Sequence, residues 1–217
     1  MDLYTPGMRG HPASDDEVWF RRFPDWNLSC AETGDAVIYA TSDVFFKYLF
    51  GNIGSEPVLL SFINAVLGDG ADAPVLEVEI RDPFNVSQFA GDTWSVVDVR
   101  ARDGSGRIFN IEMQSASQRD FVGRTLYYWA ATYAGQLTKK GEYGALRPVV
   151  CINVLDFVLR TPRPGWTGWH ECFTIKGERD SGQLFAGLLS IHMLELPRLI
   201  AKNIAISQLE RWLVFFR

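Results

Sequence analysis

The sequence predicts a mixed α/β fold, an α+β arrangement in which one mixed sheet is flanked by helices. Three observations predict it. Segments with period-two alternation (75–80, 94–102 and 107–114) sit between segments with helical spacing and helix caps (42–51, 55–68 and 117–140). The apolar, β-branched run from Val149 to Leu155 reads as a strand covered on both faces, as inside a parallel sheet. Hydrophobic residues make up 47% and charged residues 22% of 217 positions, enough for a sizeable core and too apolar for intrinsic disorder.

Residues 1–40 contain Pro6, Gly7, Gly10, Pro12 and Pro24 and the acidic run Asp15-Asp16-Glu17 without sustained periodicity. They read as a tail of unknown role, with Trp19, Phe20, Phe23 and Trp26 able to dock as an apolar clamp. The main domain is expected over 41–217. Ser42-Asp43 precede a short apolar helix that Gly51 stops, and Ser55-Glu56-Pro57 open a second helix ending before Gly68. In 75–80 acidic and apolar residues alternate, as in a half-buried strand. Segments 94–102 and 107–114 read as hairpin arms around Asp103-Gly104-Ser105-Gly106. A long helix is expected over 117–140, with Lys139 and Lys140 in its last turn. After Val149–Leu155 come weaker strand candidates at 171–175 and 188–196. An amphipathic helix begins at 205, and the chain end is expected to cut it off, leaving the domain short at its C-terminus.

Composition narrows the function classes. No apolar run reaches the roughly 18 residues that would suggest a transmembrane helix, and no secretory leader is recognisable. Three separated cysteines, Cys30, Cys151 and Cys172, make neither a disulfide framework nor a zinc motif. A cytoplasmic protein without a membrane partner is therefore expected. The net charge of −5 argues against a nucleic-acid partner at face value, but it is unevenly spread. Residues 1–97 carry a balance of −10, residues 98–147 of +3 and residues 148–217 of +2. Arginine supplies 16 of the 21 positive charges, and its planar guanidinium suits bidentate phosphate contacts.

The hairpin carries the chemistry. On its first arm Val97, Val99 and Ala101 share one face and Asp98 and Arg100 the other; on its second, Phe109, Ile111 and Met113 oppose Asn110, Glu112 and Gln114. Register decides whether Asp98 and Glu112 meet. A two- or four-residue loop centred on Gly104-Ser105 would set Asp98 against Ile111, the wrong face. One added residue, with Gly106 or Gly104 in the left-handed conformation of a bulge, moves Asp98 opposite Glu112 or Asn110. The expectation is a bulged hairpin with Asp98 beside Glu112. Two carboxylates so placed repel unless they are solvated, one is protonated, or a cation lies between them. Carboxylate oxygens without supporting His or Cys favour Mg²⁺ or Mn²⁺ over Zn²⁺. The bland alternative is a wet sheet face.

Four stretches, in order, carry a family resemblance: Ser42-Asp43-Val44-Phe45-Phe46-Lys47-Tyr48-Leu49-Phe50-Gly51; Val97-Asp98-Val99-Arg100-Ala101 with Phe109-Asn110-Ile111-Glu112-Met113-Gln114; Arg124-Thr125-Leu126-Tyr127-Tyr128-Trp129; and Pro148 to Phe157. Across 41–217 the chain resembles the Rpn family of recombination-promoting, transposase-like nucleases within the PD-(D/E)XK superfamily. The resemblance implies a restriction-endonuclease-like core of helix, three strands, helix and strand. It also implies Mg²⁺- or Mn²⁺-dependent hydrolysis of DNA phosphodiesters, with Asp98, Glu112 and Gln114 catalytic. Asp98, Glu112 and the Met113 backbone carbonyl would hold the metal, with Asp43 as a further acid. Gln114 stands where the superfamily has lysine, and glutamine carries neither charge nor proton, so part of the electrostatic work must move elsewhere.

Arg124, four residues before Tyr128 on one helix face, is the candidate for that work. The pair could grip a phosphate, or Tyr128 could pack in the core while Arg124 caps the sheet. Asp43 could equally be a helix N-cap, and Lys47 is a phosphate-binding candidate or an ion-pair partner of Asp43. His11, His170 and His192 are scattered, His192 reading as a strand residue; Trp166 and Trp169 read as loop residues packed on the sheet. A homodimer is plausible for a double-strand cutter. The alternative to an active nuclease is a catalytically idle module that keeps the fold and binds DNA or assembles.

Overall fold

A computed structural model describes residues 39–68, 74–81, 97–137, 141–159, 168–179, 185, 187–199 and 207–217. The expectations for residues 1–38, for Trp94, for Lys139 and Lys140 and for Trp166 fall outside the described residues. The elements are α1 (Asp43–Phe50), α2 (Glu56–Leu67), β1 (Val78–Arg81), β2 (Val99–Asp103), β3 (Ile108–Gln114), α3 (Phe121–Ala134), β4 (Val149–Leu155), β5 (His170–Thr174), β6 (Leu189–Glu195) and α4 (Gln208–Phe216). They contain the expected succession of helix, three strands, helix and strand. The strands form one mixed sheet in the order β1-β2-β3-β4-β6-β5. Pairings β1–β2, β2–β3 and β5–β6 are antiparallel, and β3–β4 and β4–β6 are parallel.

The strand alternation sorts side chains into two layers. Phe109, Ile111 and Met113 of β3 and Val150, Ile152 and Val154 of β4 join Phe46 of α1, Phe62 of α2 and Trp212 of α4 in one apolar cluster. Aromatic rings knit the three helices together: Phe50 stacks on Phe62 at 5.1 Å and Phe46 lies 5.6 Å from Phe216. On the opposite face Val149, Cys151 and Leu155 of β4, with Leu189, Ile191 and Met193 of β6, pack with Phe121 of α3. Strand β4 is buried at all seven positions, as its unbroken apolar sequence requires when both faces are covered. His192 is a strand residue, buried in β6, with its Nδ1 2.9 Å from His170 Nε2. Among the described residues no helix is long and apolar enough to cross a membrane.

Several boundaries differ from the sequence reading, each for a local reason. Strand β1 starts at Val78 instead of 75, because the Asn64 side-chain amide takes both the N–H and the carbonyl of Val75, each at 2.8 Å. Helix α3 starts at Phe121 instead of 117: residues 115–120 are used to carry the chain from the end of β3 across to the helix layer. It ends at Ala134 instead of 140. There the Gln136 side chain exchanges two 2.9 Å hydrogen bonds with the backbone of Arg147, which holds the chain in the return connection. Helix α4 begins at Gln208, three residues later than expected, because Ser207 and Glu210 form a capping box.

Candidate active site

The hairpin register follows from three residues. Gly106 adopts φ +90°, its N–H donates to the Asp103 carbonyl at 2.9 Å, and the Asp103 N–H donates to the Arg107 carbonyl at 3.1 Å. This is a three-residue loop, a turn closed by a left-handed glycine bulge. It sets Arg102 against Ile108, Arg100 against Asn110 and Val99 against Ile111. One step further places Asp98 opposite Glu112, at a non-hydrogen-bonded position where facing side chains stand closest. The bulged register expected from the sequence is the one present, with Gly106 as its glycine.

Regular pairing of β2 stops at Asp98 for a reason that belongs to the site. By register the Met113 N–H would donate to the Val97 carbonyl. The Asp98 carboxylate takes its place, with Oδ2 accepting from Met113 N at 2.9 Å. In a strand, the N–H and carbonyl of one residue point to the same side, so the Met113 carbonyl faces the edge that holds Asp98. The other Asp98 oxygen lies 3.1 Å from Lys47 Nζ, a partly exposed ion pair joining α1 to the sheet. The i,i+4 spacing suggests Asp43 as the partner of Lys47; the helix instead aims Lys47 across the layer at Asp98. Asp43 is not the N-cap. Ser42 is, its hydroxyl accepting from the Phe45 N–H at 3.3 Å, and Asp43 follows in the first helical turn, exposed and near enough to raise the pKa of both site carboxylates.

Both carboxylates are hard to ionise. Burial pushes Asp98 above the ordinary value, against the opposing pull of the Met113 N–H and Lys47. Glu112 is pushed up to about 7, first by burial and then by the Asp98 charge, with Arg124 pulling the other way. Glu112 Oε1 is buried and has no hydrogen-bond partner. A buried carboxylate oxygen left without a donor is costly; one beside a second raised carboxylate fits a cation. Among the described residues no three His, Cys, Asp or Glu side chains converge on one point. The protein therefore offers two carboxylates and the Met113 carbonyl. A hard ion such as Mg²⁺, which keeps several waters, accepts so sparse a set of oxygens.

Helix α3 supplies the second half. Arg124 donates through Nη2 to Gln114 Oε1 and through Nη1 to Gln118 Oε1. Its guanidinium lies 6.0 Å from the Tyr128 ring centre and 5.6 Å from that of Phe121. Arg124 and Tyr128 thus share one face, as their spacing requires, and Arg124 turns toward the sheet. Tyr128 is half-buried and its pKa is raised, by burial first and by Glu112 second. With Oε1 of Gln114 held by Arg124, its NH₂ group remains the donor.

Two neighbours escape the sequence reading. Asn153 lies beside Glu112 in the β3–β4 register, is buried, and donates to the His192 carbonyl at 3.2 Å. Asn110, two residues along β3 on the same face, donates to Thr132 Oγ1 of α3 at 2.8 Å while its own oxygen is buried without a partner. The signal is present: Asn153 is a lone amide in an apolar strand, and Asn110 shares the polar face of β3 with Glu112 and Gln114. Cys151, beside Asn110 on β4, is pushed up to about 12 by burial and by Glu112 and is an inert thiol. Gln118, in the connection before α3, gives no sign in the sequence.

The described domain has a mixed sheet between two helix layers, with two opposed carboxylates at a hairpin and a glutamine two residues after the second. No curated protein and no solved structure matches the chain. A family model described as PD-(D/E)XK nuclease family transposase matches residues 40–217, so the chain belongs to the PD-(D/E)XK nuclease family of transposases.

Proposed function

We propose that this chain is a divalent-metal-dependent DNA endonuclease of the transposase-associated, recombination-promoting type. One observation carries the reading: the bulged hairpin sets Asp98 opposite Glu112, and Glu112 keeps a buried oxygen without a hydrogen-bond partner. Asp98, Glu112 and the Met113 carbonyl would hold Mg²⁺ or Mn²⁺. A divalent ion supplies a Lewis acid there, lowering the pKa of a water and taking up charge on the phosphate.

The remaining steps belong to the chain's own side chains. Lys47 and the Met113 N–H hold Asp98 in place from two sides, so its carboxylate is positioned before any ion arrives. Gln114, with its oxygen bound by Arg124, presents its NH₂ group to a phosphate oxygen. Glutamine cannot carry the cationic charge of a lysine; Arg124 directly behind it supplies that charge one residue removed. Tyr128, on the same face of α3, offers a phenolic donor beside the Glu112 carboxylate. Donors fixed in advance around developing charge are the larger part of catalysis by such sites.

The test is plasmid nicking in Mg²⁺ by the parent chain, Asp98→Ala and Glu112→Ala. Loss of nicking in both variants is expected, with calorimetric Mn²⁺ binding by the parent that Glu112→Ala abolishes. Equal nicking by all three overturns the assignment. Absence of both nicking and Mn²⁺ binding in the parent identifies an idle module.

A further inference from the structure

We infer that Arg102 and Arg147 form a phosphate cradle over Gly106 that grips the DNA backbone several nucleotides from the scissile bond. The inference rests on the nuclease reading for the identity of the strand it holds.

The cradle is built by the same glycine that sets the register. A side chain at position 106 would have its Cβ 3.0 Å from Arg147 Cγ and 3.2 Å from Arg102 Nη2. The two arginine side chains therefore close over Gly106 from different elements, Arg102 from β2 and Arg147 from the segment before β4. Arg102 Nη2 and the Cγ and Cδ of Arg147 meet over one glycine, which brings two cationic side chains to one place. Among the described residues neither forms an ion pair; Arg147 donates to the carbonyls of Gly144 and Leu146 at 3.2 and 3.3 Å.

A cavity of about 520 Å³ opens here, reaching Arg81 and Glu79 on the edge strand. Its acids are mostly committed. Asp103 is tied to Arg107 at 2.6 Å and to Ser105 at 2.7 Å, and Glu79 to Arg81 at 2.7 Å. Glu77 lies beside Gly104 and Glu79 stands opposite Arg102 across β1–β2, so these two acids face three arginines, Arg81, Arg102 and Arg147. The balance favours an anion, and arginine forks suit phosphate oxygens.

Position identifies the anion. Arg102 and Asp98 are four residues apart on one face of β2, with Arg100 between them, so the cradle lies about 13 Å from the carboxylate pair. Helix α3 packs against β4, while Arg102 is exposed. Successive phosphates of one strand lie farther apart along the backbone than their ~3.4 Å axial rise, which puts the cradle about two or three phosphates from the cleavage point. A backbone running along the Asp98–Arg102 line would meet both.

The test compares the 217-residue Glu112→Gln chain with the same chain also carrying Arg102→Gln and Arg147→Gln. Binding of a duplex oligonucleotide is titrated between 50 and 200 mM salt without divalent metal. Removing the cradle's grip on one phosphate predicts affinity about tenfold weaker and a salt slope shallower by about one. The Arg102→Lys/Arg147→Lys pair is expected to restore the slope. Equal binding and an equal slope in the Gln variant, with its melting temperature unchanged, overturn the cradle. So does binding of millimolar inorganic phosphate at the cradle that leaves DNA affinity unchanged, which would mark an isolated anion pocket. If the parent fails to cut DNA yet the Gln variant binds it more weakly, the nuclease reading falls and the cradle stands. If Glu112→Gln abolishes cutting while the arginine variants bind as the parent does, the reverse holds.

Discussion

Replacing Glu112 by glutamine should make the metal-free protein more stable at neutral pH, while removing the group proposed to hold the metal. The carboxyl pKa is 4.5 in an unconstrained chain and about 7 in the fold, raised by burial and then by Asp98. Below about pH 4.5 it is protonated in both states and adds no pH dependence. Between about 4.5 and 7 the unfolded chain ionises and the folded one does not, so stability falls as pH rises. A rise of that size corresponds to on the order of 3 kcal/mol lost by pH 7.5. Asp98, also raised, adds to the loss in the same direction. The assay is urea unfolding followed by tryptophan fluorescence at pH 4.5, 6 and 7.5 in a chelator. The parent should lose stability across this window, Glu112→Gln should lose much less, and Mn²⁺ at about 100 times its Kd should return roughly 2.7 kcal/mol to the parent alone. A parent stability flat with pH, or an equal decline in Glu112→Gln, would refute the claim that burial and Asp98 outweigh the pull of Arg124 on Glu112.

Three further outcomes follow. Gly106→Ala, at φ +90° and against Arg147 Cγ, should cost about 1–3 kcal/mol in denaturant unfolding and lower nicking together, because it disturbs the register that opposes Asp98 to Glu112. Arg124→Met should lower plasmid nicking by about a hundredfold with little change in Mn²⁺ affinity measured by calorimetry, since Arg124 hydrogen-bonds Gln114 and neither site carboxylate; an equal loss of metal binding would contradict its place behind Gln114. Ser207→Ala removes the α4 cap and should cost about 1 kcal/mol of stability while leaving nicking per folded molecule unchanged.

The two halves of the site are unequally readable. Asp98, Glu112 and Gln114 stand out because strand alternation puts each on a known face, and the Gly-Ser-Gly turn limits the registers to a few. Arg124 and Tyr128 can be placed on one helix face by their spacing, but not aimed. Which way that face turns depends on the packing of Phe121 against β4 and β6. Lys47 shows the limit of local reasoning. Four residues from Asp43 it looks like an intrahelical partner, yet it reaches Asp98, distant in the chain, because Phe46 and Phe50 anchor α1 in the core and leave Lys47 on the flank beside them, within reach of the sheet. Asn153 is visible as an amide in an apolar strand and Asn110 on the polar face of β3, but the adjacency of Asn153 to Glu112 exists only through the parallel β3–β4 register.

By itself the sequence determined the alternation of the hairpin arms, the two glycines able to bulge their turn, the ends of α1 and α2, and the buried character of β4. These are properties of a few neighbouring residues, governed by backbone sterics and periodicity. Only the tertiary structure decided where β1 and α3 begin and end, which cation meets Asp98, that Arg124 backs Gln114, and that Arg102 and Arg147 meet over Gly106. Each depends on side chains distant in sequence competing for one backbone group, one carboxylate or one small space, and that competition is settled only when the helix layers close on the sheet.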